Sequence, residues 1–324
     1  MRTDRRLPAC RRAVWVAVIL AVGAGLPVPT HAATITPAAG ATKAVAWLKT
    51  RIGRDGSLAG NLSLTAELII AVKAAGQNPN TFSSPSPVAY LRRQTATILR
   101  QNVGVIGKVA LAVSAAGADP SSFGGIDLIA AIRSTNQLGL FDAQLFDQSF
   151  AMMALRAGGR PSGNLAFTQV FRQQDLLGGW GFAGPRDPDT NSTAVAMQAI
   201  IATSRQLIGS PVGTTSLLRA VRYLHGQQND DGAFSYQRTS HACAGPCPSD
   251  PNSTAYVIQA LVAAGQDVRA GWWLKNGRDP IAALLAMQRA DGSFAGFSPV
   301  LATVQAVPGL VAKPFVCIAV PSAC

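Results

Sequence analysis

Arg219-Ala220-Val221-Arg222-Tyr223-Leu224-His225-Gly226-Gln227-Gln228-Asn229-Asp230-Asp231-Gly232-Ala233-Phe234 carries the pattern from which the fold can be read. An amphipathic helical run reaches Gln228, stops at Gly232 and is followed two residues later by an aromatic plug. The four-then-two spacing recurs as Leu284, Gln288, Gly292 and Phe294, and again as Gln174, Gly178 and Trp180. It recurs in aliphatic form as Trp47-Leu48, Ile52, Gly56 and Leu58, and faintly as Thr135, Gly139 and Phe141. A repeat of this length sets the architecture before any single element does.

A second pattern follows the clearer copies: a small polar residue, then an Ala-rich apolar run ending at Gly. Thr65-Ala66 leads to Ala74-Ala75-Gly76, and Thr254-Ala255 leads to Ala263-Ala264-Gly265. Ala115-Ala116-Gly117 and Ala157-Gly158 end two more such runs, and 191–204 is another. Runs that are apolar nearly all round are buried helices. Pro79, Pro120 and Pro161 follow the Gly and enforce the stop. The sequence therefore alternates outer amphipathic helices with inner apolar ones, in six pairs starting near residues 42, 87, 126, 164, 214 and 277. The second pair lacks the Gly-x-aromatic plug, and the sixth is expected to be cut short by Pro308 and Pro314. An all-α chain of ~45-residue pairs can stack as an open solenoid or close into a ring.

The chain has 324 residues, 48 % apolar and 14 % charged, which excludes disorder. Arg2, Arg5, Arg6, Arg11 and Arg12, the apolar run Ala13–Leu26 and Thr30-His31-Ala32 read as a cleavable signal peptide over 1–32. Secretion, or a periplasmic or cell-envelope location, is the resulting expectation. A linker over 33–41, a helical domain over 42–316 and a Cys-containing tail over 317–324 would follow. The net charge of +12 falls to +8 without 1–32 and is spread out, with no basic stripe interleaved with aromatics, so no nucleic acid is expected. Weak attraction to anionic cell-envelope polymers is compatible with it. Beyond the signal, Cys243, Cys247, Cys317 and Cys324 remain, an even number that in an exported chain reads as two disulfides. The local pairs Cys243–Cys247 and Cys317–Cys324 close the shortest loops.

The stretch 219–234 resembles the QW repeat of squalene–hopene cyclases and protein prenyltransferase β subunits. The resemblance covers most of 42–307. It implies an (α/α)6 toroid, six inner and six outer helices around a central cavity, with the Gln and aromatic residues structural. Similar toroids occur, more distantly, in the cobalamin carriers intrinsic factor and transcobalamin.

The polar entries to inner helices are where chemistry would sit. Asp187-Pro188-Asp189-Thr190-Asn191-Ser192-Thr193-Ala194 opens one, and Asp250-Pro251-Asn252-Ser253-Thr254-Ala255 opens the next. Squalene–hopene cyclases carry Asp-x-Asp-Asp-Thr-Ala at the similar place, with the middle Asp as proton donor. Aligned on Thr193-Ala194, the donor position here is Asn191, whose amide carries no acidic proton. No complete catalytic set is found. Capping of the helix ends by Asp, Asn and Ser is the alternative role. The Asp187, Asp189, Asn191 spacing also suits Ca²⁺, but the loop lacks the Gly and Glu of such a site. His241, Cys243, Cys247 and Asp250 carry zinc-ligand types, an alternative to the disulfide. Neither a metal nor an organic cofactor is expected.

Glu67 is the sole Glu of the chain and lies in an apolar inner run. It either pairs with an Arg or faces the cavity. Trp180, Phe182 and Tyr256 flank the same entries, as cavity lining or as plugs. The candidate ligand-binding set is thus Glu67, Trp180, Phe182, Asp187, Asp189, Asn191, Asp250, Asn252 and Tyr256. The reading taken forward is a monomeric, non-catalytic toroid that binds a small or hydrophobic molecule at the mouth of its cavity. A cyclase or prenyltransferase with a non-standard acid, and a cell-envelope interaction ring with a filled core, are the alternatives.

Overall fold

A computed structural model of the protein describes residues 35–182, 184–203 and 211–324. The signal sequence read at 1–32 lies outside them. In chain order the outer–inner pairs are α1 (Pro37–Lys49) with α2 (Leu62–Ala74), and α3 (Pro87–Arg93) with its continuation α4 (Thr95–Ile98) and α5 (Val103–Ala115). Next come α6 (Leu128–Ser134) with α7 (Leu145–Ala157), and α8 (Asn164–Phe171) with α9 (Thr190–Thr203). The last two are α10 (Pro211–Gln227) with α11 (Pro251–Ala263), and α12 (Pro280–Ala286) with α13 (Pro299–Leu310). A short helix, α14 (Phe315–Ala319), follows. The one sheet among the described residues is the hairpin of β1 (Trp180–Gly181) and β2 (Gly184–Asp189), antiparallel with Trp180 opposite Asp189.

The composition of each helix explains its layer. α1 buries Gly40, Ala41, Ala44, Val45 and Leu48, a single stripe at helical spacing. In α2, by contrast, Thr65 through Val72 are all buried, so it needs protein on every side. That surround is a closed ring: α2 packs on α5, α5 on α7, α7 on α9, α9 on α11, α11 on α13, and α13 back on α2. The fold is therefore an all-α toroid, closed rather than an open solenoid. Gly104, at the start of α5, lies against Asp147, at the start of α7, and Gly107 against Phe150, so these inner helices run parallel with their N-termini at one mouth.

The repeated motifs supply the joints. The Gln side chain bonds its own turn and the next repeat at once: Gln228 Nε2 donates to the carbonyls of Gly232 (2.9 Å) and Trp273 (2.8 Å). Gln174 Nε2 reaches those of Gly178 (2.8 Å) and Ser216 (2.9 Å). Gln288 Nε2 reaches those of Gly292 (2.9 Å) and Gly40 (2.8 Å), tying the sixth pair to the first. The Thr of the second motif pins the plug, since the backbone N–H groups of Leu58, Trp180, Phe234 and Phe294 donate to Thr65, Thr193, Thr254 and Thr303 Oγ1. In the third pair Gln148 does this work, its Oε1 accepting from Phe141 N at 2.7 Å.

Three expectations need correction. α1 begins at Pro37, capped by Thr36, so part of the segment read as a linker over 33–41 is helical. Pro308 does not cut the sixth pair short, for α13 runs on to Leu310. The ring of Pro308 removes only the N–H that would meet the Val304 carbonyl, one turn from the helix end. The 317–324 segment, finally, begins inside α14, whose Phe315, Val316, Ile318 and Ala319 are buried against inner helices. Both disulfides form as paired from the sequence, Cys243–Cys247 and Cys317–Cys324, with Cα separations of 5.3 and 5.6 Å.

Gly292 sits at φ +94°, and a Cβ there would lie 2.5 Å from the Lys43 carbonyl oxygen. Gly292→Ala should destabilise the fold by about 3 kcal/mol, from left-handed strain plus an opened seam. Gly226→Ala, with open space around it, should be neutral or stabilising by up to about 1 kcal/mol. Thermal and urea unfolding followed by circular dichroism separates the two.

Candidate functional site at the N-terminal mouth of the ring

Six helix N-termini converge on one mouth, and the acidic residues there are largely consumed in building it. Asp189 is fully buried. Its Oδ1 accepts from Ser192 N (2.7 Å), while Oδ2 accepts from Phe182 N (3.1 Å) and Tyr236 Oη (2.9 Å). It thereby caps α9 and fastens the hairpin to the loop of the next repeat. Burial raises its pKa, and the hydrogen bonds from Ser192, Tyr236 and Phe182 oppose that rise. Asp250 caps α11 in the same way, accepting from Ser253 N (2.8 Å) and Ser253 Oγ (2.7 Å). Burial raises its pKa also.

The other sequence-derived candidates divide. Asp187 is exposed at φ +54°, and its carbonyl accepts from Gln237 Nε2 at 3.4 Å. Trp180 is a plug: it is fully buried, and its indole N–H donates to the Val170 carbonyl at 2.8 Å. Asn191 is half-buried in the first turn of α9. Glu67, Asn252, Tyr256 and Phe182, from three different repeats, are brought together around the ring axis.

What joins them is a chain of polar contacts across the lumen. Lys108 Nζ donates to Glu67 Oε1 at 2.6 Å and to Ser63 Oγ at 3.2 Å. Gln305 Nε2 donates to Glu67 Oε2 (3.0 Å) and Tyr256 Oη (3.3 Å), and Asn252 Nδ2 donates to Gln305 Oε1 (2.7 Å). Glu67 does face the lumen, but its partner is a lysine, not the arginine expected. Burial pushes the Tyr256 hydroxyl pKa well up, with the Glu67 charge adding to the rise. Phe146 stands over this floor, 6.0 Å from the Phe182 ring and 6.2 Å from that of Tyr256. Lys108 Nζ lies 4.8 Å from the Phe150 ring centre. Asp147, next to Lys108 in the first turn of α7, has its pKa raised by burial and by Asp142.

Below the floor the lumen is filled. The Phe315 ring of α14 packs 5.4 Å from Phe150 and 5.8 Å from Tyr256. A void of about 10 Å³ remains between Glu67, Ile70, Val304, Gln305, Pro308 and Phe315, room for one water at most.

Lys108, Gln305, Phe146 and Phe315 were missed from the sequence. A signal for some of them existed. Counting six residues on from the inner-helix caps Asn61, Asn102 and Asp250 lands on Glu67, Lys108 and Tyr256, one layer facing the axis. Among the described residues no group of three or more His, Cys, Asp or Glu is placed to hold a metal. The disulfide takes both thiols of the zinc alternative.

Lys108→Met should cost about 3–5 kcal/mol by stranding Glu67, and the double variant Lys108→Met plus Glu67→Gln should recover most of it. A double-mutant cycle in urea checks this. Asp189→Ala should cost about 1–2 kcal/mol through the lost cap alone.

No protein-family model and no curated protein sequence matches the chain. Among solved structures, the type II terpene cyclase MstE from Scytonema, without ligand, superposes with a TM-score of 0.61 at 14 % identity, covering 85 % of this chain and 97 % of that one. An MstE variant in complex with its substrate geranylgeranyl dihydroxybenzoate gives 0.60 at 14 %, covering 87 % and 98 %. A protein from Actinoplanes gives 0.57 at 15 %, covering 85 % and 99 %. The chain therefore has the α/α-toroid fold seen in the type II terpene cyclase MstE.

Proposed function

We propose that this protein is an exported, non-catalytic toroid that binds a small amphipathic molecule at the N-terminal mouth of its ring. The observation that carries the reading is the polar chain Asn252–Gln305–Glu67–Lys108, which floors the mouth beneath the Phe146 and Phe182 rings. Aromatic walls over a few convergent polar groups are what a small-molecule site requires. The contact set is Phe146, Phe182, Asn191, Asn252, Glu67 and Lys108. Asp189 and Asp250 have the supporting role of holding the helix ends that present it.

Three features favour binding over cyclisation. Asp189 and Asp250 are occupied as caps, and Glu67 is held by Lys108 and Gln305. The Lys108 ammonium lies against Phe150, so a cationic intermediate would have to compete with it for an aromatic face. Beneath the polar floor Phe315 occupies the lumen, and the void of about 10 Å³ beside it admits no part of a polyprenyl chain. Export is supported by the two disulfides. Among the described residues, no helix is long and apolar enough to cross a membrane.

A second reading rests on Asp147, whose burial-raised pKa would suit a proton donor at the mouth. One experiment separates them. Dihydroxybenzoate and geranylgeranyl dihydroxybenzoate are titrated against the mature chain by calorimetry, and the bound ligand is recovered for mass and chromatographic analysis. Binding with unaltered ligand, weakened about tenfold in Phe146→Ala and in Glu67→Gln but unchanged in Asp187→Ala, is the expected result. An isomerised product lost in Asp147→Asn would establish the enzyme instead. No binding of either compound would leave the filled interaction ring as the account.

A further inference from the structure

The six helix pairs are complete at Leu310, yet the chain then turns back into the ring. Val311–Lys313 form a turn with Ala312 at φ +51°, and Lys313 Nζ donates to the Ala74 carbonyl at the C-terminal end of α2. α14 thus enters by the mouth opposite the one described above. It packs on α2, α5, α7 and α9, and its Phe315 reaches Phe150 and Tyr256 at mid-depth. Its partners are four inner helices, and no repeat element corresponds to it.

The wall that receives α14 carries a polar group poorly matched to it. Gln198 of α9 is 3 % exposed. Its Oε1 accepts from the Phe315 backbone N–H at 3.0 Å, but its Nε2 is buried with no hydrogen-bond partner. A buried donor left unpaired is costly, and native structures tolerate few. The amide would be satisfied on both sides by a group that donates and accepts at one atom. A hydroxyl does this: its hydrogen bonds Oε1, and its lone pair takes the Nε2 hydrogen. What α14 itself puts against the wall is hydrocarbon, with Phe315, Val316 and Ile318 buried and the Phe315 ring against those of Phe150 and Tyr256.

We propose that the C-terminal half of the lumen is a binding site for a single-chain aliphatic alcohol, and that α14 is its built-in competitor. The ligand's hydroxyl sits on Gln198, its chain takes the space of Phe315 and Ile318, and α14 swings out about Val311–Pro314. Occupancy by α14 lowers the apparent affinity by the fraction of molecules in which the site is open. The site is distinct from the N-terminal mouth, so it stands or falls separately from the function proposed there.

Hydrogen–deuterium exchange with 1-decanol as the probe tests this on the full mature chain. At saturating decanol, amides of Phe315–Ala319 should exchange at least tenfold faster while α2, α5, α7 and α9 keep their protection. Phe315→Ala weakens the competitor and should lower the apparent Kd for decanol, whereas Gln198→Leu should raise it about tenfold. Phe182→Ala, at the N-terminal mouth, should leave it unchanged. Absence of decanol binding in both the wild type and Phe315→Ala overturns the proposal. So does binding that leaves α14 exchange unaltered, or binding that Phe182→Ala abolishes.

Discussion

Everything in this molecule depends on one side-chain amide used repeatedly. Gln174, Gln228 and Gln288 each send one Nε2 group to two carbonyls, one in their own turn and one in the following repeat. The turn Gly must lack a side chain because the next outer helix lies against it: a Cβ on Gly178 would come within 2.6 Å of the Arg219 carbonyl oxygen. The plug then hangs from a Thr on the inner helix. A local spacing of Gln, Gly and aromatic is therefore a long-range instruction. It fixes how far apart adjacent pairs stand, and so how many of them close a ring.

That is why the fold was legible in the sequence. Repeats are read from spacing, and the joint residues of this fold are also the spaced ones. The places where reading failed are those where a residue acts across repeats without a local signature. Lys108 looks like a solvated cation in the weakest repeat. Its role appears only when α5 stands beside α2 and Glu67. Pro308 reads as a helix stop, and the packing of α13 between α11 and α2 overrides it. Asp189 and Asp250 were legible as acids at helix entries, but a sequence does not tell whether such an acid faces a ligand or its own backbone. Their bonds to Ser192 and Ser253 place both in the second role.

The lumen carries its own polar layer. Its axis holds an ammonium, a carboxylate, two amides and a phenol joined in one network, with aromatic rings around them. Such a network is stable only when nearly every member is bonded, and it specifies one arrangement of the helices that supply it. Four inner helices, α2, α5, α11 and α13, contribute to it. The polar layer thus doubles as a register mark for the ring, between a hydrogen-bonded rim above and a hydrocarbon-filled half below.

Closure also changes how the molecule can come apart. In a linear repeat array, unfolding begins at an end, where a unit has a single neighbour, and each later step costs the same. The Gln288 bond to Gly40 gives the first and sixth pairs the same two neighbours as any other. Removing a pair from a ring breaks two interfaces, while the next removal breaks only one. The first step is therefore the most expensive, and partly unzipped forms are less stable relative to the intact ring than in an open array. The expected behaviour is a single cooperative transition with slow unfolding, a kinetic persistence that comes from topology and not from the strength of any one contact.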